Sequence, residues 1–107
     1  MPIVTVFQSP DFTEEQYEES VRQLTGGNDR MRSPADWPVE GLLVHIAGDP
    51  GSGFRVVDVW ESEEAFRRFG EKLAPVMKAI GIDAQPEIYQ AHTLVSAGRS
   101  ASSATTT

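Results

Sequence analysis

Cysteine is absent from the 107 residues. Its absence removes disulfides, thiolate nucleophiles and cysteine-based zinc or iron–sulfur sites together. Basic side chains are few: nine Lys and Arg stand against sixteen Asp and Glu, for a net charge of −7. Such a surface repels phosphate backbones, so nucleic acid is not an expected partner. Long apolar runs are missing too. The longest, Leu42 to Ala47, contains His45 and falls far short of the roughly 20 residues of a membrane-spanning helix. Met1-Pro2-Ile3-Val4 opens on a strand pattern, without a basic stretch or a small-residue cleavage site, so the expectation is a cytoplasmic protein with no membrane partner. The length suits one domain with one core.

What is present alternates strand and helix signals. Ile3 to Gln8 reads as a strand stopped by Ser9-Pro10-Asp11, and a helix follows whose capping-box spacing fits either Asp11/Glu14 or Thr13/Gln16. Phe12, Tyr17, Val21 and Leu24 form its apolar stripe, and Gly26-Gly27 ends it. Asn28 to Glu40 is a long loop, suited to a lid or a contact between subunits. Gly41 to Gly48 and Phe54 to Glu61 read as strands joined by the turn Asp49-Pro50-Gly51-Ser52-Gly53, hence an antiparallel hairpin. Ser62 caps a second helix with Phe66, Phe69 and Leu73 at helical spacing; Pro75 is expected to kink or break it, and Gly81 to stop it. Glu87 to Val95 reads as a fourth strand. Residues 96–107 have little to bury and read as a disordered tail after a domain spanning 1–95.

The order β-α-β-β-α-β predicts an α+β, ferredoxin-like fold, with a four-stranded antiparallel sheet and both helices on one face. The first three strands are apolar on both parities, with Val4, Val6, Val57 and Val59 opposing Ile3, Phe7, Phe54 and Val56. A sheet wetted on one side alternates, and this one does not. The expected cover is a second copy, giving a homodimer through the sheet face.

The passage Val57-Asp58-Val59-Trp60-Glu61-Ser62-Glu63-Glu64-Ala65-Phe66 resembles the strand-Trp-Glu-Ser-helix signature of the dimeric α/β-barrel proteins, in their antibiotic-biosynthesis-monooxygenase-like branch. The resemblance covers about residues 2 to 95. It implies a barrel of two sheets, a ligand pocket between each sheet and its helices, and a cofactor-independent monooxygenase or cyclase acting on an aromatic or polyketide-like molecule. The same superfamily contains non-catalytic members, so a ligand-binding or structural homodimer is the alternative. Members that oxygenate pair the signature Trp with an asparagine. The only asparagine of this chain is Asn28, in the loop.

The resemblance makes Trp60 a candidate to stack on an aromatic substrate, with Phe66 beside it. Asp58 shares strand parity with Trp60; in an apolar cavity its carboxylate is a candidate base. His45 and His92, the two histidines, each lie in an apolar strand pattern and are candidate proton-transfer groups. Gln90 shares parity with His92, and Tyr17 offers a further polar tip to the pocket. Each has a structural alternative: a core Trp, a paired Asp, a satisfied His. No metal-ligand spacing exists, and no cofactor is expected.

Overall fold

A computed structural model describes residues 1–28 and 30–96. The elements follow the expected order: β1 (Ile3–Gln8), α1 (Glu14–Thr25), a short 3-10 turn (Pro34–Asp36), β2 (Leu42–Gly48), β3 (Arg55–Trp60), α2 (Glu63–Ile80) and β4 (Glu87–Gln90). The four strands form one sheet in the order β2-β3-β1-β4, every neighbouring pair antiparallel. No helix among the described residues is long and apolar enough to cross a membrane. The expected tail falls almost wholly outside the described residues.

Local chemistry fixes where α1 begins. The Gln16 N–H donates to Thr13 Oγ1 at 3.1 Å, and the Thr13 N–H donates to Gln16 Oε1 at 3.0 Å. This reciprocal cap selects Thr13 over Asp11 as the start. It also sets the helix phase, turning Tyr17, Val21 and Leu24 toward the sheet. Ser62 caps α2 by accepting the Ala65 N–H at 3.2 Å.

Of the two outcomes expected at Pro75, a kink or a break, the break does not occur: α2 runs on to Ile80. Proline removes one backbone hydrogen bond, and Val76, Met77 and Ile80 beyond it gain partial burial that offsets the loss. β4 ends at Gln90 rather than Val95: Ile3 pairs with Gln90, and before Ile3 stands Pro2, which has no N–H to extend the ladder. One last bond remains, from the Ala91 N–H to the Pro2 carbonyl at 2.9 Å.

A register shift between Leu42 and Val44 interrupts the β2–β3 ladder. Leu42 lies opposite Trp60 and His45 opposite Asp58. Under strict alternation Leu42 and His45 would point to opposite faces; the bulge at Leu43 puts both on the helix side. Just before it, Gly41 adopts φ 108°, and a Cβ there would lie 2.6 Å from that of Ala65. Only glycine lets β2 enter this close to α2.

The core lies between helices and sheet, around Ile3, Val21, Trp37, Leu42, Trp60, Ala65 and Phe69 at one end and Phe7, Phe12, Phe54 and Val56 at the other. The opposite sheet face carries Val4, Val6, Val44, Val57, Val59 and Ala91, with Ile46 58% and Tyr89 50% exposed.

Candidate functional site

Between the two ends of the core, three polar side chains from three elements converge. Tyr17 reaches down from α1, its ring stacked on Phe54 with centroids 4.9 Å apart. Its hydroxyl oxygen lies 2.6 Å from His45 Nε2, and His45 Nδ1 lies 2.6 Å from Asp58 Oδ1. A carboxylate only accepts, so Nδ1 carries a hydrogen toward Asp58. That leaves Nε2 of a neutral ring as the acceptor, and the Tyr17 hydroxyl donates to it. The result is a continuous chain, Tyr17 to His45 to Asp58, with its outer end a phenol oxygen that retains free lone pairs.

Burial shapes the electrostatics. Asp58 is almost wholly enclosed, and the loss of water raises its pKa above 3.8, while the hydrogen bond and charge of His45 pull the other way. Tyr17 is pushed up to about 12, by burial first and by the negative charge of Asp58 second. At neutral pH Tyr17 is therefore a phenol, suited to pass a proton rather than to act as a phenolate base. In a spectrophotometric titration, one of the two tyrosines is expected to ionise only near pH 12. Tyr17→Phe removes that late step; a late step that survives the substitution contradicts the placement of Tyr17.

Asp58 and His45 sit in a row across the sheet with Thr5, which pairs with Asp58 from β1. Thr5 is fully buried, and its Oγ1 has no hydrogen-bond partner. Around the row lies an apolar cleft walled by Phe7, Phe12, Leu24, Trp37, Phe69 and Met77, with Tyr17, His45 and Asp58 as its main polar features. Its free room is about 40 Å³, and the whole cleft with its mouth spans about 490 Å³. The other side of Tyr17 and His45 faces an open groove of about 410 Å³, bordered by Glu14, Glu18, Arg30, Met31 and Phe54. The two rings thus form a partition between cleft and groove.

The structure brings Asp58, His45 and Tyr17 together and places the other expected site residues elsewhere. Trp60 is fully buried against Phe66 and Phe69, with centroids at 6.0 and 5.0 Å, and is not part of the cleft wall. Phe66 fills the space between Trp60 and Phe7. His92 lies beyond the end of β4, exposed, its Nδ1 2.7 Å from Thr93 Oγ1. Gln90 is exposed on the edge strand. Asn28 is exposed after α1, its backbone bonded to Thr25 Oγ1. The tryptophan that does line the cleft is Trp37, from the loop considered as a lid. Its ring stacks on Phe69 at 5.4 Å and tilts against His45 at 5.2 Å.

No protein-family model matches this sequence, and no curated protein matches it. Among solved structures, the fold is similar to SnoaB, a cofactor-independent oxygenase from Streptomyces nogalater. One SnoaB structure, of a mutant, is 15% identical over 88% of this chain and 94% of that one, with a TM-score of 0.53. A second SnoaB structure gives 13% identity with the same coverage and TM-score. The likeness establishes the ferredoxin-like α+β fold. At this identity it carries no residue roles, and the chemistry must come from the site itself.

Proposed function

We propose that this chain binds a flat, hydroxylated aromatic or polyketide-like molecule between sheet and helices and removes its hydroxyl proton through Tyr17, His45 and Asp58. The observation that carries this reading is the pair of 2.6 Å contacts on His45, half-buried at the wall of a largely apolar cleft. In the proposed step the substrate O–H bond breaks and its proton goes to the Tyr17 oxygen. The Tyr17 proton passes to His45 Nε2, and the Asp58 carboxylate stabilises the imidazolium that forms. The electron pair left on the substrate delocalises onto ring carbon. It can then attack a carbonyl carbon within the same molecule, as in a cyclase, or be oxidised by molecular oxygen, as in a cofactor-independent oxygenase. The fold shared with SnoaB supports the oxygenase form.

The limited free room favours a second reading, a non-catalytic ligand-binding or structural protein. On the catalytic reading, the cleft opens into the groove beyond it while the Tyr17 hydroxyl keeps its contact with His45, which brings the combined space to the size of a ligand site. An oxygen electrode with a panel of hydroxylated naphthalenes and anthracenes separates the readings. Oxygen uptake above the uncatalysed rate that vanishes in Tyr17→Phe supports the oxygenase. Binding without uptake or cyclised product favours the ligand carrier, and no binding favours the structural protein.

The same proposal includes a second copy of the chain on the outer sheet face. Its support is the row of Val4, Val6, Val44, Ile46, Val57 and Val59, apolar across three adjacent strands. Ile46→Lys is expected to shift sedimentation equilibrium from dimer to monomer while circular dichroism stays unchanged. A wild type that sediments as a monomer contradicts it.

A further inference from the structure

We propose that Tyr17 is a one-electron donor: an oxidant takes an electron from its phenol while His45 Nε2 takes the proton, leaving a neutral tyrosyl radical. The inference goes beyond the acid–base reading above, because it needs only the chain of hydrogen bonds and no particular ligand. A phenol that loses an electron alone becomes a strongly acidic radical cation, so its oxidation is easy only where a base can take the proton. Here that base lies 2.6 Å from the phenol oxygen, and Asp58 Oδ1, 2.6 Å from Nδ1, supports the imidazolium it becomes. Burial keeps the phenol protonated at neutral pH, with its pKa pushed up to about 12, so electron and proton leave together rather than the proton first. The O–H bond breaks, its proton goes to His45 Nε2, and one electron goes to the oxidant. An aryloxyl radical in the cleft or the groove is an oxidant of the required class, and it leaves as the aryloxide. Tyr17 borders both spaces.

The surrounding rings favour Tyr17 as the place where the electron is finally lost. Trp60 lies 5.0 Å from Phe69, Phe69 5.4 Å from Trp37, Trp37 5.2 Å from His45 and His45 5.9 Å from Tyr17, centroid to centroid. Electrons cross gaps of this size readily, so an electron hole made on either tryptophan passes along the row. Neither tryptophan keeps it. The indole nitrogens of Trp37 and Trp60 are buried without a hydrogen-bond partner, so no neighbouring base takes the proton that an oxidised indole must lose. Tyr17 has its acceptor in place, and the electron it gives refills the indole. The other tyrosine, Tyr89, is 50% exposed on the edge strand β4, and the hydrogen bonds of both histidines lie elsewhere.

The test is flash photolysis with a ruthenium tris-bipyridyl sensitiser and an electron-accepting quencher, which together generate a one-electron oxidant beside the protein. Tyr89→Phe, at an exposed position, leaves Tyr17 as the one tyrosine. In that variant a tyrosyl absorption and its electron paramagnetic resonance signal are expected, growing as any tryptophan radical decays and growing more slowly in heavy water. Adding His45→Gln is expected to slow tyrosyl formation about 10²-fold, within the range that a positioned proton acceptor supplies, and to lengthen the life of the tryptophan radicals. No tyrosyl signal in Tyr89→Phe, a rate indifferent to heavy water, or a rate that His45→Gln leaves unchanged overturns the inference. The first two outcomes need only the Tyr89→Phe protein, so the test survives a His45→Gln chain that does not fold. Proton transfer from a bound naphthol is read separately, so this inference can fail while the acid–base reading stands.

Discussion

Replacing His45 with glutamine is expected to lower turnover of a hydroxyaromatic substrate by about 10²–10⁴-fold, the range that a positioned acid–base group supplies. Glutamine fills much of the same volume and can still hydrogen-bond, but it cannot take up a proton at neutral pH. Asp58→Asn should act through His45: the amide can present its NH₂ to Nδ1, which favours the tautomer that no longer accepts from Tyr17. Asp58→Asn also has a stability signature. The folded-state pKa of Asp58 lies above its ordinary 3.8, so the native state holds this proton more tightly than the unfolded chain. That stability is fully present at pH below 3.8 and is lost as pH rises through the raised value. Asparagine has no such titration, so its unfolding free energy relative to wild type should increase with pH across that window. Urea unfolding at several pH values measures it, and a flat difference contradicts the burial of an ionisable Asp58.

The second large effect concerns the other tryptophan. Trp60→Ala is expected to destabilise the fold by about 3–5 kcal/mol, the cost of emptying a large buried aromatic site. A domain of this kind has only about 5–15 kcal/mol in total. Trp60 is fully enclosed and meets the tilted rings of Phe66 and Phe69, so the cavity left behind has rigid walls on two sides. A drop in the urea midpoint, with the surviving folded fraction still binding ligand, is the expected result. A stable variant that no longer binds would return Trp60 to the pocket role that the family resemblance assigns it.

The contrast between the two tryptophans shows where the sequence was readable. Element order, a first helix starting at Asp11 or Thr13, the Ser62 start, the glycine stops and the sheet that is apolar on both faces all follow from short-range spacing; the structure reproduces the order and the Ser62 cap and selects Thr13. Asp58 and His45 stood out as polar groups inside strands, and Tyr17 as the hydroxyl on an apolar helix stripe. Their union was not readable. Tyr17 and His45 are 28 residues apart and His45 and Asp58 are 13 apart, and the face His45 takes depends on one bulge residue, Leu43. Nothing in Leu42-Leu43-Val44 marks which of three aliphatic residues is extra. The end of β4 was set by Pro2 on the partner strand, and the tolerance of Pro75 by packing further along α2. Trp37 could be found as a loop aromatic, yet only the folded chain shows it walling the cleft beside His45.

The central claim is that this cleft takes a proton from a bound hydroxyl through His45. The ultraviolet spectrum of 1-naphthol bound at neutral pH tests it most directly, because naphthol and naphtholate absorb at different wavelengths. The account predicts a naphtholate band with wild type and a bound but neutral naphthol with His45→Gln. A bound naphthol that stays neutral in wild type, or a naphtholate band that persists in His45→Gln, contradicts it.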